Sequence, residues 1–126
     1  MKENFLCPVC GKYTFEEYGD YDICHECGWE NDAVQGADFN YRGGANSLSV
    51  NDYKIIYKLS LCNEMSDRLA VLKRDYRDKC GDIYAKYPHI NWSIDGDKVT
   101  QEFNNADNEY MSKIYELYEN ICKKQE

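Results

Sequence analysis

Apolar and polar positions change their rhythm at about residue 50. Before it the spacing is short. Tyr13 and Phe15 alternate with polar neighbours, as do Tyr21 and Ile23 beyond Gly19-Asp20, and this predicts a hairpin that turns at Gly19-Asp20. After it, apolar residues recur in steps of three and four. Ser49 and Asp52 form a capping pair ahead of Tyr53, Ile56, Tyr57, Leu59 and Leu61, which predicts a short amphipathic helix ending near Cys62. Met65, Leu69, Leu72, Tyr76 and Cys80 predict a second helix over 64–80, with Asp75 four residues ahead of Lys79 and Gly81 as its stop. Pro88 and Asp95-Gly96-Asp97 then interrupt, so His89–Ile94 and Lys98–Thr100 read as two extended pieces of a small hairpin. A last helix of roughly 25 residues carries Phe103, Ala106, Tyr110, Met111, Ile114, Leu117, Tyr118 and Ile121 on one stripe. Thr100 or Asn104 would cap it, and Lys123-Lys124 stand at the end that favours cations. The expected class is α+β: short hairpins first, then about three helices and a small hairpin.

The 126 residues match one ordinary domain, able to bury roughly two thirds of its unfolded surface. The expected division is a module over 1–50 and a helical region over 51–126, packed on it as one unit. The N-terminal stretch lacks the apolar run of a signal peptide, and no segment approaches the ~18 apolar residues that span a bilayer. A soluble, cytoplasmic protein without membrane contact is therefore expected. In a reducing compartment the seven cysteines point to metal rather than to disulfides.

Their placement supports this. Cys7-Pro8-Val9-Cys10-Gly11 returns as Cys24-His25-Glu26-Cys27-Gly28. Two cysteines separated by two residues can turn both sulfurs toward one small cation, and the glycine after each pair permits the tight knuckle. Two knuckles supply four thiolates, so Cys7, Cys10, Cys24 and Cys27 are the expected ligands of Zn²⁺. Iron held by four thiolates, as in rubredoxin, is the rival metal, although the thirteen residues between Cys10 and Cys24 are fewer than rubredoxin uses. A thioredoxin-like redox centre would use one such pair, not two. His25 reads as a surface residue. Cys62, Cys80 and Cys122 lie on helical stripes without paired spacing and read as small buried hydrophobes.

Charge narrows the partner. Residues 1–50 hold three cations against nine carboxylates, and 51–126 hold twelve against fourteen, for a net charge of −8. The cysteine-rich half would repel a phosphate backbone, which disfavours nucleic acid. Arg68, Lys73, Arg74, Arg77 and Lys79 crowd the second helix, but Asp67, Asp75 and Asp78 interleave with them as on a solvated face. An acidic surface suits ordinary solvation or docking on a basic protein.

The run from Cys7 to about Val50, with both knuckles, Trp29-Glu30 after the second and Arg42-Gly43-Gly44-Ala45-Asn46 ahead of a helix, resembles the cysteine-rich CPCC family of small bacterial proteins. This chain has Cys7-Pro8-Val9-Cys10 where the family name implies adjacent cysteines after the proline; the two-residue spacing survives that departure. The resemblance implies a zinc-ribbon-like domain without an established activity, and some members look like components of toxin and immunity systems. Trp29 reads as a wall over the knuckle. In Arg42–Asn46 the glycines are expected to turn the chain with positive φ while Arg42 and Asn46 tie the loop down, with an anion-binding nest as the other reading. Four thiolates leave a metal no open position, so no catalytic residue is assigned. The expected function is a non-catalytic, structural-zinc module that binds a protein, with a basic bacterial toxin as one partner of that kind. The alternative is a nucleic-acid-binding or enzymatic protein with its site in the helical region.

Overall fold

A computed structural model describes residues 5–124, with side chains over 5–121. Two units divide the chain, Met1–Leu61 and Cys62–Glu126.

In the first unit, β1 (Phe5–Leu6) and β2 (Thr14–Phe15) pair antiparallel, with Phe5 opposite Phe15 and Leu6 opposite Thr14. The hairpin thus closes around the first cysteine pair, and the turn expected at Gly19-Asp20 does not return β2 onto Tyr21–Ile23. The cause is local. Cys7 N–H donates to Tyr13 O at 2.8 Å and Gly11 N–H to Cys7 O at 2.8 Å, so the knuckle is itself the turn. Gly19 and Tyr21 take φ of 68° and 60°, which bends the chain out of line with β2. Ile23 instead bridges Glu30, across the second knuckle.

A helix absent from the sequence reading follows. In α1 (Ala33–Ala37) the cap residue Asp32 accepts from the amides of Val34 and Gln35. α2 (Val50–Ser60) starts as its sequence predicts: Asp52 N–H donates to Ser49 Oγ and Ser49 N–H to Asp52 Oδ2, both at 3.1 Å. Cys7, Val9, Phe15, Cys24, Trp29 and Val50 form one buried cluster, flanked by Phe5, Cys10, Tyr13, Cys27, Tyr53 and Tyr57. Burial of a large apolar side chain such as Phe15 contributes about 2 kcal/mol.

The second unit is a helical hairpin. A 3-10 turn over Asn63–Met65 leads into α3 (Ser66–Lys86), and α4 runs over Trp92–Lys124. Their pairs run antiparallel: Tyr76 stacks on Tyr110 with ring centroids 4.4 Å apart, Tyr84 meets Phe103, Lys79 pairs with Glu109 and Lys86 with Glu102. Tyr76 Oη also donates to Asp107 Oδ1 at 2.5 Å. The stripe from Met65 through Leu69, Leu72, Tyr76 and Cys80 is buried or half-buried, as its spacing predicts.

Two expectations fail here. Gly81 does not stop α3, which continues five residues to Lys86 and ends at Tyr87, directly before Pro88. One glycine costs a helix only about 1 kcal/mol, whereas a proline bars the preceding residue from helical geometry. The small hairpin over 89–100 is absent as well, since α4 begins at Trp92 and runs through Asp95-Gly96-Asp97. Asn91 Oδ1 accepts from Ser93 N–H at 3.1 Å, and Asn91 N–H donates back to Asp95 Oδ2 at 3.4 Å. This reciprocal cap, whose Asp95 is also the acid of the first turn, outweighs the turn character of Asp-Gly-Asp. The α+β class stands. Among the described residues, no helix is long and apolar enough to cross a membrane.

Candidate metal centre

The repeated phrase folds twice into the same knuckle. In the first, Gly11 N–H donates to Cys7 O at 2.8 Å; in the second, Gly28 N–H donates to Cys24 O at 2.9 Å. Both glycines adopt positive φ, 69° and 85°, where a side chain would be strained. The N–H of each leading cysteine is bonded across its loop, Cys7 to Tyr13 O and Cys24 to Trp29 O, each at 2.8 Å.

The two knuckles face each other, and the Sγ atoms of Cys7, Cys10, Cys24 and Cys27 all lie within 4.8 Å of one another. Cys7 and Cys27 sulfurs are 3.6 Å apart, as are those of Cys10 and Cys24. All four are free thiols, spaced far beyond the ~2.05 Å of a disulfide. A Zn–S bond of about 2.3 Å sets tetrahedral sulfur–sulfur edges near 3.8 Å, so the cluster fits one metal ion of that size. Backbone donors support the sulfurs: Lys12 N–H reaches Cys10 Sγ at 3.5 Å and Cys27 N–H reaches Cys24 Sγ at 3.4 Å. Such outer contacts orient ligands and favour the thiolate.

Electrostatics describe what a cation would change. Burial pushes the Cys7 thiol up to about 11, and burial raises Cys27 as well. Cys24 is drawn down: burial would raise it, but the amide donors of Cys27 and Glu26 prevail. A divalent ion placed among four sulfurs would convert such thiols to thiolates and release their protons.

Around the cluster, Trp29 is buried with Cys7 and Cys24 and meets Tyr53 of α2 edge-on at 5.5 Å, the wall its position predicts. Its Nε1 has no hydrogen-bond partner among the described residues. His25 is exposed and lies against Tyr13, apart from the sulfurs. Tyr57 of α2 donates to Glu26 Oε1 at 3.0 Å, tying that helix to the second knuckle. Cys62 and Cys80 are half-buried in the other unit, where burial raises the Cys80 thiol; the side chain of Cys122 lies outside the described residues.

The Arg42–Asn46 loop is tied down by its side chains. Arg42 grips Asp52 with two bonds, Nε to Oδ2 at 2.7 Å and an outer nitrogen to Oδ1 at 3.2 Å. Gly43 takes φ of 90°, but Gly44 does not share it and is required for another reason: a Cβ there would sit 2.7 Å from Asp32 Oδ2. The residues that sequence reasoning missed are Asp32 and Gln35. Asp32 Oδ2 accepts from Ala45 N–H at 2.9 Å, and the fully buried Gln35 reaches the carbonyls of Tyr41, Asn46 and Leu48 at 3.0–3.1 Å. Asn31-Asp32 ahead of Ala33-Val34 is the cap signal that could have found the first. Nothing in a five-residue helix announces a buried glutamine.

Curated proteins offer no match to the chain. The family model described as cysteine-rich CPCC matches residues 5–73, more than half of the chain and beyond the 7–50 stretch that carries the resemblance in sequence. With both knuckles, α1, the Arg42–Asn46 loop and α2 inside that span, the chain belongs to the cysteine-rich CPCC family.

Proposed function

We propose that Cys7, Cys10, Cys24 and Cys27 hold a structural Zn²⁺ that stabilises the first unit, and that this unit serves as a non-catalytic module docking on a basic protein. The observation that carries the metal is the convergence of four free thiols within 4.8 Å, without a histidine or carboxylate in the group. Sulfur alone is a soft donor set that suits zinc, and four such ligands close the shell to water and substrate. Bound there, the ion supplies a cross-link between two loops rather than a reactive site. A β-ladder of two residues per strand gives the unit little regular structure of its own, which is the usual setting of a metal that contributes to folding.

The docking reading rests on charge and exposure. No Lys or Arg occurs between Lys12 and Arg42, a stretch with eight carboxylates. Within it Tyr18, Tyr21 and Ile23 are 57%, 62% and 50% exposed beside exposed Glu16, Glu17 and Asp22. Exposed aromatics among acids suit a partner that offers cations over apolar stems, a basic toxin of the kind the family resemblance suggests being one example. A nucleic-acid reading has weaker support, since Lys79 of α3 is taken up by Glu109 and acids alternate with the other cations.

Elemental analysis of protein purified without chelator tests the metal, with about one zinc per chain expected and a melting transition that falls on chelation. Absence of metal, iron in its place, or unchanged melting overturns that half. For docking, a basic partner isolated with the wild-type chain should be lost by a variant carrying Glu16→Lys, Glu17→Lys and Asp22→Lys. Equal retention refutes the acidic face.

A further inference from the structure

Glu30 stands three residues after Cys27 and opposite Ile23. On either side of that pair the bonds run Cys24 N–H to Trp29 O, Tyr21 N–H to Asn31 O and Asn31 N–H to Asp22 O. Glu30 is therefore in a non-hydrogen-bonded pair, and antiparallel geometry turns its own N–H and C=O outward, away from Ile23. A third strand would ordinarily meet them. Among the described residues no strand supplies one, the Ile23–Glu30 pair being an isolated bridge. One side chain reaches both groups: Asn46 Oδ1 accepts from Glu30 N–H at 3.0 Å, and Asn46 Nδ2 donates at 2.9 Å to Glu30 O, which also accepts from Asp32 N–H at 2.9 Å.

The amide that replaces a strand is itself fixed. Asn46 Nδ2 and Asn46 N–H both donate to Gln35 Oε1 at 3.0 Å, and Gln35 Nε2 returns a bond to Asn46 O at 3.0 Å. Glutamine and asparagine here are buried, so each bond replaces one that water cannot supply. Through Trp29 O the held strand fixes the backbone N–H of Cys24, a predicted ligand.

On the reading that the four cysteines hold zinc, we infer that Asn46 is a positioning residue of the metal centre: its carboxamide stands in for a missing strand, sets the path of the chain leaving Cys27, and couples metal uptake to closure of the loop over 38–48. Coupling of this sort is reciprocal. The metal should tighten the loop as much as the loop sharpens the metal site.

The test is competition for Zn²⁺ between a chelator and the full chain, as wild type, Asn46→Ala, Asn46→Asp and the control Asn40→Ala, whose side chain bonds Asn51 at an exposed position. Asn46→Ala is expected to weaken zinc by roughly 10-fold, the low end of what loss of a group bonded directly to a ligand costs, since Asn46 acts one step further out through Glu30 and Trp29. Asn46→Asp keeps the acceptor for Glu30 N–H, loses the donor, and should fall between. Asn40→Ala should match wild type. A merely structural role would lower the melting temperature equally with and without zinc; the positioning role predicts the larger drop with zinc present, together with an altered Co²⁺ absorption spectrum. In the wild type, hydrogen exchange at the amides of Glu30 and Asn46 should slow on adding Zn²⁺, a readout that does not depend on any variant folding. Affinity of Asn46→Ala within twofold of wild type, or exchange at those amides unchanged by zinc, overturns the inference. A wild-type chain that takes up no zinc refutes instead the reading on which it rests.

Discussion

Replacing Arg42 by alanine strands the Asp52 carboxylate inside the first unit. Asp52 is 4% exposed, while the Arg42 side chain is 28% exposed and sends two bonds to that carboxylate. Removing one partner of a buried ion pair costs about 3–5 kcal/mol. Two features reduce the figure. Solvent reaches the Arg42 side of the pair, and Asp52 keeps the Ser49 N–H and its place in the first turn of α2, where a helix start favours an anion by about 0.5–1 kcal/mol. The expected loss is about 2–3 kcal/mol, which for a unit of this size lowers Tm by roughly 10–20 °C. Urea unfolding at saturating zinc measures it. Trp92 is exposed and lies in the other unit, so a Trp92→Phe background leaves Trp29 as the single tryptophan reporter of the first. The reasoning also fixes a sign: Asp52→Asn should partly rescue Arg42→Ala, because the neutral amide no longer needs a counter-charge. A loss below about 0.5 kcal/mol, or a double variant less stable than Arg42→Ala alone, refutes it.

Cys24→Ser should abolish stoichiometric zinc and expose the amides of the first unit to exchange, whereas Cys62→Ser and Cys80→Ser should leave metal content unchanged; elemental analysis and hydrogen exchange check both. Because burial raises the Cys7 thiol to about 11 and raises Cys27 with it, zinc must displace protons, so its apparent affinity should climb as pH rises through neutrality. Chelator competition at several pH values reads this, and a flat profile contradicts the protonated thiols. Gly81→Ala, at a helical site with open space around it, should stabilise the second unit by about 0.5–1 kcal/mol in thermal melts. Gly44→Ala should destabilise the first, since its Cβ would meet Asp32 Oδ2 at 2.7 Å and the Gln35 amide at 2.9 Å.

What could be read from the chain alone depended on whether the signal was local. The knuckles, the Ser49–Asp52 box and the stripe from Met65 to Cys80 are each set by neighbours within a few residues, and each was legible. The long stripe of α4 was visible from Phe103 onward, but its beginning was not. Asn91 and Asp95 cap it in a stretch whose Trp92 and Ile94 stay exposed, so no apolar period marks those turns. The β1–β2 pairing was misplaced because alternation in Tyr13–Ile23 says which faces are buried without saying which partner covers them. Gln35 lay beyond reach for a different reason. Its three carbonyl partners come from residues that composition alone marks as loop, and only the folded path of 38–48 brings them round one amide.

That amide also decides how the first unit gives way. Oily contacts fade gradually as a fold breathes, but a bond from Gln35 Nε2 to a carbonyl keeps its strength only over a few tenths of an ångström and a narrow cone of angles. Once it lets go, the oxygens of Tyr41, Asn46 and Leu48 lose that donor together, the last two at buried bonds. The segment behind the second knuckle is therefore expected to come loose in one step rather than by degrees, and a disturbance arriving there would reach the sulfurs as a snap rather than a slope.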